Sequence, residues 1–185
     1  AGNDTIKNIE NVLGSSYDDV LAGNKYNNTI DGGIGSDTVS YATSTKAVTI
    51  NLSTVGAQDT IGAGVDTIVN TENILGSKYN DTLTGDYNSN TIEGGLGNDL
   101  IDGGDGDDTA SYANSTKGVK VDLSIAIGQV TNVGTDTLVN IENLLGSTFN
   151  DTLSGNSSNN TIDGGAGIDT LSYKTATNGV VVSLS

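Results

Sequence analysis

This 185-residue chain has no cysteine and no histidine. Without cysteine there is no disulfide framework and no thiolate metal site. Without histidine there is no Ser–His or Cys–His pair and no His-Glu-x-x-His zinc motif. Catalysis is therefore not expected of this segment; its carboxylate pairs fall in turns where a metal is expected to occupy them. Aromatic residues are 4% and hydrophobic residues 34% of the chain. That is lean for a globular core, so apolar burial has to come as a thin, regular layer. Bases are also scarce, 7 against 23 acids, for a net charge of −16. Nucleic acid needs clustered Lys and Arg and is excluded as a partner. An anionic membrane surface would repel the chain, and no apolar run approaches the ~18 residues that span a bilayer. The start, AGNDTIKNIE, has neither the basic nor the apolar run of a signal peptide. The chain begins and stops inside a repeat, so it reads as a piece of something longer.

Glycine, by contrast, is abundant, with 26 residues, and it is periodic. Three long repeats are visible, about 1–62, 63–132 and 133–185, the last incomplete, and they read as one continuous array. Their N-x-E-N elements begin at Asn8, Asn70 and Asn140. The second interval is the longer, and one inserted nine-residue unit, Gly103–Ser111, accounts for the difference to within one residue.

Nine residues is the inner period, in the form G-G-x-G-x-D-x-U-x with U apolar. Full copies start at Gly32 (GGIGSDTVS), Gly94 (GGLGNDLID), Gly103 (GGDGDDTAS) and Gly164 (GGAGIDTLS). Degenerate copies start in phase at Gly14, Gly23, Gly76, Gly85, Gly146 and Gly155. Each unit splits into a turn and a very short strand. The glycines open backbone conformations closed to residues with a Cβ, so the turn carbonyls converge. In the strand one residue points inward: Val39, with Leu21, Ile30, Leu83, Ile92, Ile101, Leu153, Ile162 and Leu171 in the same slot. Ala110 holds that slot in the inserted unit and marks a thinner layer. Two units make one coil, and stacked coils bury a continuous apolar column that one coil cannot bury alone. The predicted fold is all-β, a parallel β-roll or β-solenoid.

Stacking sets turns two units apart over one another. One edge is expected to carry Asp19 over Asp37, Asp81 over Asp99 and Asp151 over Asp169. The other carries Asn90 over Asp108, with Glu72, Glu10 and Glu142 as first rungs before Asn90, Asn28 and Asn160. Carboxylates at strand spacing, ~4.8 Å, repel unless a cation lies between them. The expected donors are these acids and Asn90, with the carbonyls of Gly32, Gly33, Gly35, Gly94, Gly95, Gly97, Gly103, Gly104, Gly106, Gly164, Gly165 and Gly167. All are hard oxygens, which suits several Ca²⁺ ions. Mg²⁺ demands tighter octahedral geometry, and Zn²⁺ would draw on the missing His and Cys.

The nonapeptide resembles the repeats-in-toxin (RTX), or haemolysin-type, calcium-binding family. The segment Asp136–Asn156, DTLVNIENLLGSTFNDTLSGN, looks like the spacer between such blocks. That resemblance implies a parallel β-roll with Ca²⁺ held between turns two units apart. It also implies a bacterial protein exported by a type I secretion system. The degenerate turns depart from the motif by carrying Ser or Asn for the second Gly.

Between the glycine blocks, 47–53, 118–124 and 179–185 alternate apolar and polar residues, as half-buried strands do. GAGVDT (62–67) and NVGTDT (132–137) resemble further degenerate turns. Asp4, Asp66 and Asp136 precede Asp19, Asp81 and Asp151 by one constant interval. A wider coil that continues the roll is expected here. Tyr41, Tyr112 and Tyr173 close each glycine block and are expected to pack in the core. An ice-binding face is not expected, since the outward turn position is irregular: Ile34, Leu96, Asp105 and Ala166. The functional expectation is an extracellular structural module that folds on calcium, in a surface adhesin, surface layer or filament, with end-to-end stacking of copies. The alternative is a secretion and folding appendage of an exported hydrolase whose catalytic domain lies elsewhere.

Overall fold

The computed structural model describes residues 6–183. Asp4 and the last two residues of the third spacer strand lie outside them. Among the described residues there is no helix and there are 19 short strands. In the first repeat these are β1 (Asn11–Leu13), β2 (Val20–Leu21), β3 (Thr29–Asp31), β4 (Thr38–Ser40), β5 (Thr49–Asn51), β6 (Ala57–Asp59) and β7 (Val65–Val69). The second has β8 (Asn73–Leu75), β9 (Thr82–Thr84), β10 (Thr91–Glu93), β11 (Leu100–Asp102), β12 (Thr109–Ser111), β13 (Lys120–Asp122), β14 (Gln129–Val130) and β15 (Thr135–Val139). The third has β16 (Asn143–Leu145), β17 (Thr152–Ser154), β18 (Ile162–Asp163) and β19 (Thr170–Leu171).

The fold is an all-β parallel β-roll. Within each glycine block, a strand pairs in parallel with the strand two units further along the chain: Val12 with Ile30, Leu21 with Val39, Leu83 with Ile101, Leu153 with Leu171. A three-residue strand points only its middle side chain inward, because side chains alternate between faces. Ile30, Val39, Ile74, Leu83, Ile92, Ile101, Leu144 and Leu153 are accordingly buried to 2% exposure or less. Each contributes about 1.5–3 kcal/mol relative to an exposed position. Ala110 is fully buried in the same column. Leu171 holds the expected slot opposite Leu153 but is 37% exposed, because β19 ends its sheet and no described strand covers it. Tyr173 follows it out of the core at 44% exposure, whereas Tyr41 and Tyr112 are buried as expected.

A seven-stranded sheet, in the order β18-β16-β12-β10-β8-β4-β2, makes one face. Alternate strands make the other face, which is divided into sheets of four, five and three strands. The divisions fall at the wide coils. There the chain leaves β4, lays down β5, turns back through β6, and returns through β7 before crossing to β8. β6 pairs antiparallel with β7, and β14 does so with β15. These are two exceptions to the all-parallel pairing expected. Where backbone pairing lapses, a glutamine bridges it. Gln58 Oε1 accepts the Asn51 amide at 2.9 Å and its Nε2 donates to the Asn51 carbonyl at 3.0 Å. Gln129 repeats both bonds on Asp122. The side-chain amide thus stands in for a peptide of the neighbouring strand.

Candidate metal centre

Apart from β5, β6, β13 and β14, an oxygen-bearing side chain stands at or just before the start of each strand, and these side chains form two ladders. One runs Asp19, Asp37, Glu72, Asn90, Asp108, Glu142, Asn160. Asp37 Oδ1 accepts the Asp19 amide at 2.8 Å, and Glu72 Oε2 accepts the Asp37 amide at 2.9 Å. Asp108 Oδ1 accepts the Asn90 amide at 2.7 Å, and Glu142 Oε2 accepts the Asp108 amide at 3.0 Å. The other ladder holds Glu10, Asn28, Asp66, Asp81, Asp99, Asp136, Asp151 and Asp169. Asp66 Oδ1 accepts the Asn28 amide, Asp99 Oδ1 that of Asp81, Asp136 Oδ1 that of Asp99, and Asp169 Oδ1 that of Asp151. The pairs two units apart are those expected, but their grouping is not. Asp19 and Asp37 lie on the edge opposite Asp81, Asp99, Asp151 and Asp169. Glu10 lies opposite Glu72 and Glu142. The cause is the wide coil, which puts three successive strands on one face before it crosses over.

Two classes of turn alternate along the ladders. In the degenerate turns, the second residue donates its amide to the side chain that closes the same turn. Ser15 serves Asp19, Ser77 serves Asp81 and Ser147 serves Asp151, each at the Oδ2 oxygen. Ser77 and Ser147 add a hydroxyl bond to Oδ1 at 2.8 Å. Asn24, Asp86 and Asn156 serve the Oδ1 of Asn28, Asn90 and Asn160 in the same way. These turns satisfy their own side chains.

The full G-G-x-G-x-D turns do not. Asp37, Asp99 and Asp108 are 0%, 2% and 0% exposed, and the Oδ2 of each has no hydrogen-bond partner. Asp169, in the last turn, is only half-buried. The glycines at the second and fourth motif positions explain the difference. Gly33, Gly35, Gly95, Gly97, Gly104, Gly106, Gly165 and Gly167 all have positive φ, from 79° to 150°. That backbone turns the second amide away from the aspartate, and residues with a Cβ avoid it. The first glycines, Gly32, Gly94, Gly103 and Gly164, lie against the Oδ2 of their own aspartate. A Cβ at Gly103 would stand 2.5 Å from Asp108 Oδ2 and one at Gly32 2.7 Å from Asp37 Oδ2. The small residue leaves the space in front of the carboxylate open.

A buried carboxylate oxygen with no donor carries a large desolvation cost unless a proton or a cation joins it. Burial pushes Asp99 up to about 7, against the Asp81 amide bond and with the charges of Asp136 and Asp81 adding to the rise. Burial likewise raises Asp108, the Asn90 amide bond opposing and the charges of Glu142, Asp107 and Asp86 adding. Among the described residues no group of three or more acidic, His or Cys side chains is arranged to hold a metal. Any ion at these oxygens would complete its shell with turn carbonyls and water. An all-oxygen set mixing carboxylate and carbonyl is the donor chemistry of Ca²⁺.

Three elements of the ladders escaped the sequence reading. Asp66 and Asp136, expected in degenerate turns of a wider coil but not assigned to either ladder, are full rungs. Tyr41 and Tyr112 do more than fill the core, because they also act on those rungs. The Tyr41 hydroxyl donates to Asp66 Oδ2 at 3.0 Å, the oxygen that stays unpaired in the glycine turns. The serine and asparagine of the degenerate turns are donors, which their constant place ahead of the ladder residue indicates.

The model of the RTX calcium-binding nonapeptide repeat matches the chain in four copies, over residues 13–42, 75–110 and 140–171. No curated protein matches it. The chain belongs to the RTX calcium-binding nonapeptide repeat family and is a calcium-binding repeat module.

Proposed function

We propose that this chain is a structural segment of a secreted bacterial surface protein, an adhesin shaft, surface layer or filament, that folds as calcium fills its glycine turns. The observation that carries this reading is the set of three buried, unpartnered oxygens on Asp37, Asp99 and Asp108. With a net charge of −16 and a thin core, the metal-free roll faces its own repulsion. Each cation converts one repulsive contact into an attractive one. A site at 100 times its dissociation constant adds about 2.7 kcal/mol, so a few sites match the ~5–15 kcal/mol of a typical domain. Extracellular modules work with constants of roughly 10⁻⁴ to 10⁻³ M. Such sites stay empty in the cytosol and fill outside the cell.

Repetition of the same wide coil between glycine blocks favours a shaft or filament over a folding appendage of an exported hydrolase. Copies stacked end to end would continue the sheets, whose terminal strands have an unpaired edge among the described residues. Circular dichroism during a Ca²⁺ titration, with Mg²⁺ as control, tests the folding reading. The expected result is a calcium-specific gain of β-structure. An unchanged ordered spectrum after exhaustive chelation would overturn it.

A further inference from the structure

We infer that the N-x-E spacer turns are compressed calcium half-sites, so that Glu72 and Glu142 close cation sites on Asp37 and Asp108. The inference rests on the calcium reading above and assigns two of its sites.

Where one glycine block turn stacks on another, two oxygens converge beside the first glycine of the lower turn. At Gly76 a Cβ would stand 2.5 Å from the carbonyl oxygen of Gly94, the first residue of the next turn. It would also stand 2.7 Å from Asp81 Oδ2, the carboxylate of its own turn. At Gly32 the next rung is no glycine turn but the spacer Asn70-Thr71-Glu72. The same convergence is kept. A Cβ at Gly32 would run into the Asn70 carbonyl oxygen on one side and approach Asp37 Oδ2 to 2.7 Å on the other. Gly103 repeats this with the Asn140 carbonyl oxygen and Asp108 Oδ2. Asn70 and Asn140 therefore put a carbonyl where the next glycine turn would put one.

The carboxylate is replaced as well. In a stacked pair, the upper aspartate accepts the amide of the lower one, as Asp99 accepts that of Asp81 at 2.8 Å. Glu72 and Glu142 accept the amides of Asp37 and Asp108 in the same way, at 2.9 and 3.0 Å. A longer side chain lets a three-residue spacer reach where a six-residue turn placed an aspartate. The spacer keeps this shape through a left-handed first residue, φ 50° at Asn70 and 49° at Asn140, a conformation that Asn tolerates. Each Asn is tied down by its side chain, Nδ2 donating to Oδ1 of Asp31 or Asp102 at 2.8 Å.

Asp37 and Asp108 are fully buried, and the Oδ2 of each has no donor. The group facing each of these oxygens across the first glycine is itself an acceptor, the carbonyl of Asn70 or Asn140. Two acceptors face to face, with a second carboxylate one rung above, call for a cation. At Asp81 and Asp151 the same position is closed without one, by the amides of Ser77 and Ser147. Metal thus sits only on full glycine turns, and on one edge of the roll the spacer supplies the opposing half.

Calorimetric titration of the calcium-stripped chain with Ca²⁺ tests this. Asp37→Asn with Asp108→Asn should remove two ions from the wild-type number. Glu72→Gln with Glu142→Gln should remove the same two or weaken them at least tenfold, and all four changes together should remove no more. Glutamine keeps the acceptor for the Asp37 and Asp108 amides, so a merely structural role would leave binding unchanged. Wild-type number and affinity in the glutamine variant, alongside loss in the asparagine variant, overturns the inference. Absence of calcium binding in the wild type overturns the calcium reading beneath it, which is a separate result. Should the double variant stay unfolded at saturating Ca²⁺, Glu72→Gln alone, which leaves the Asp108 site whole, is expected to lose one ion.

Discussion

Tyr112 donates its hydroxyl to Asp136 Oδ2 across 3.2 Å, and the same oxygen takes a second bond from the Thr131 hydroxyl at 2.8 Å. At the equivalent place in the first repeat, Asp66 Oδ2 is served by Tyr41. The tyrosine thus satisfies a buried carboxylate where the roll changes from glycine coils to a wide coil. Removing a donor from a buried acceptor costs about 1–3 kcal/mol. Tyr41→Phe should destabilise the calcium-loaded chain by an amount in that range, and Tyr112→Phe by less, because Thr131 remains. Urea unfolding at fixed Ca²⁺ reads both, and equal or negligible losses would contradict the assignment.

Calcium-coupled folding should strengthen as pH rises. Burial holds Asp99 at about 7 in the metal-free roll, well above its usual value of 3.8. Between these values the folded chain binds more protons than the unfolded one, so metal-free stability falls as pH rises through this window. Calcium competes with that proton, so its affinity rises over the same window. Calcium titrations of the stripped protein followed by circular dichroism should reach their midpoint at a lower Ca²⁺ concentration at pH 8 than at pH 5, and equal midpoints would contradict the assignment.

Glycine substitutions should separate contact from conformation. Gly95 and Gly56 have similar φ, 94° and 96°, but only Gly95 is crowded, against the Ser77 carbonyl of the turn below. Gly56 has nothing within 4 Å of an added Cβ. Gly56→Ala should cost about 1–2 kcal/mol, the penalty of a left-handed residue. Gly95→Ala carries that penalty and must also push the two turns apart, so it should cost more and weaken calcium at Asp99. Thermal melts and calcium titration of the two variants compare directly.

Serine turns should prove indifferent to the ion. Ser77→Ala removes the hydroxyl bond to Asp81 Oδ1, for about 0.5–1.5 kcal/mol. The number of ions bound should not change. A lost ion in this variant would place a metal on the Asp81 turn.

The stacking of two-unit coils was legible because one repeated unit fixes both the turn and the inward residue. Val39, Leu83 and Ile101 occupy their slots for that reason. The wide coil was not, because the segment 41–64 recurs too few times and alternates too briefly to show that β6 runs backwards. Missing that reversal also misgrouped the two ladders, since three strands on one face carry Asp37 to Glu72 rather than to Asp81. The glycine motif marked the aspartates but not which oxygens stay unpaired. That depends on the direction of one amide, set by whether the second residue is Gly33 or Ser15.

Gln58 and Gln129 join the three smaller sheets end to end, making twelve strands on that side against seven on the other among the described residues. At ~4.8 Å per strand, every wide coil lengthens one wall by two strands, about 10 Å. A tower whose walls grow at different rates cannot rise straight. In the shaft proposed above, such walls would lean toward the shorter one at each long repeat, and the spacing of the spacers would set its arc.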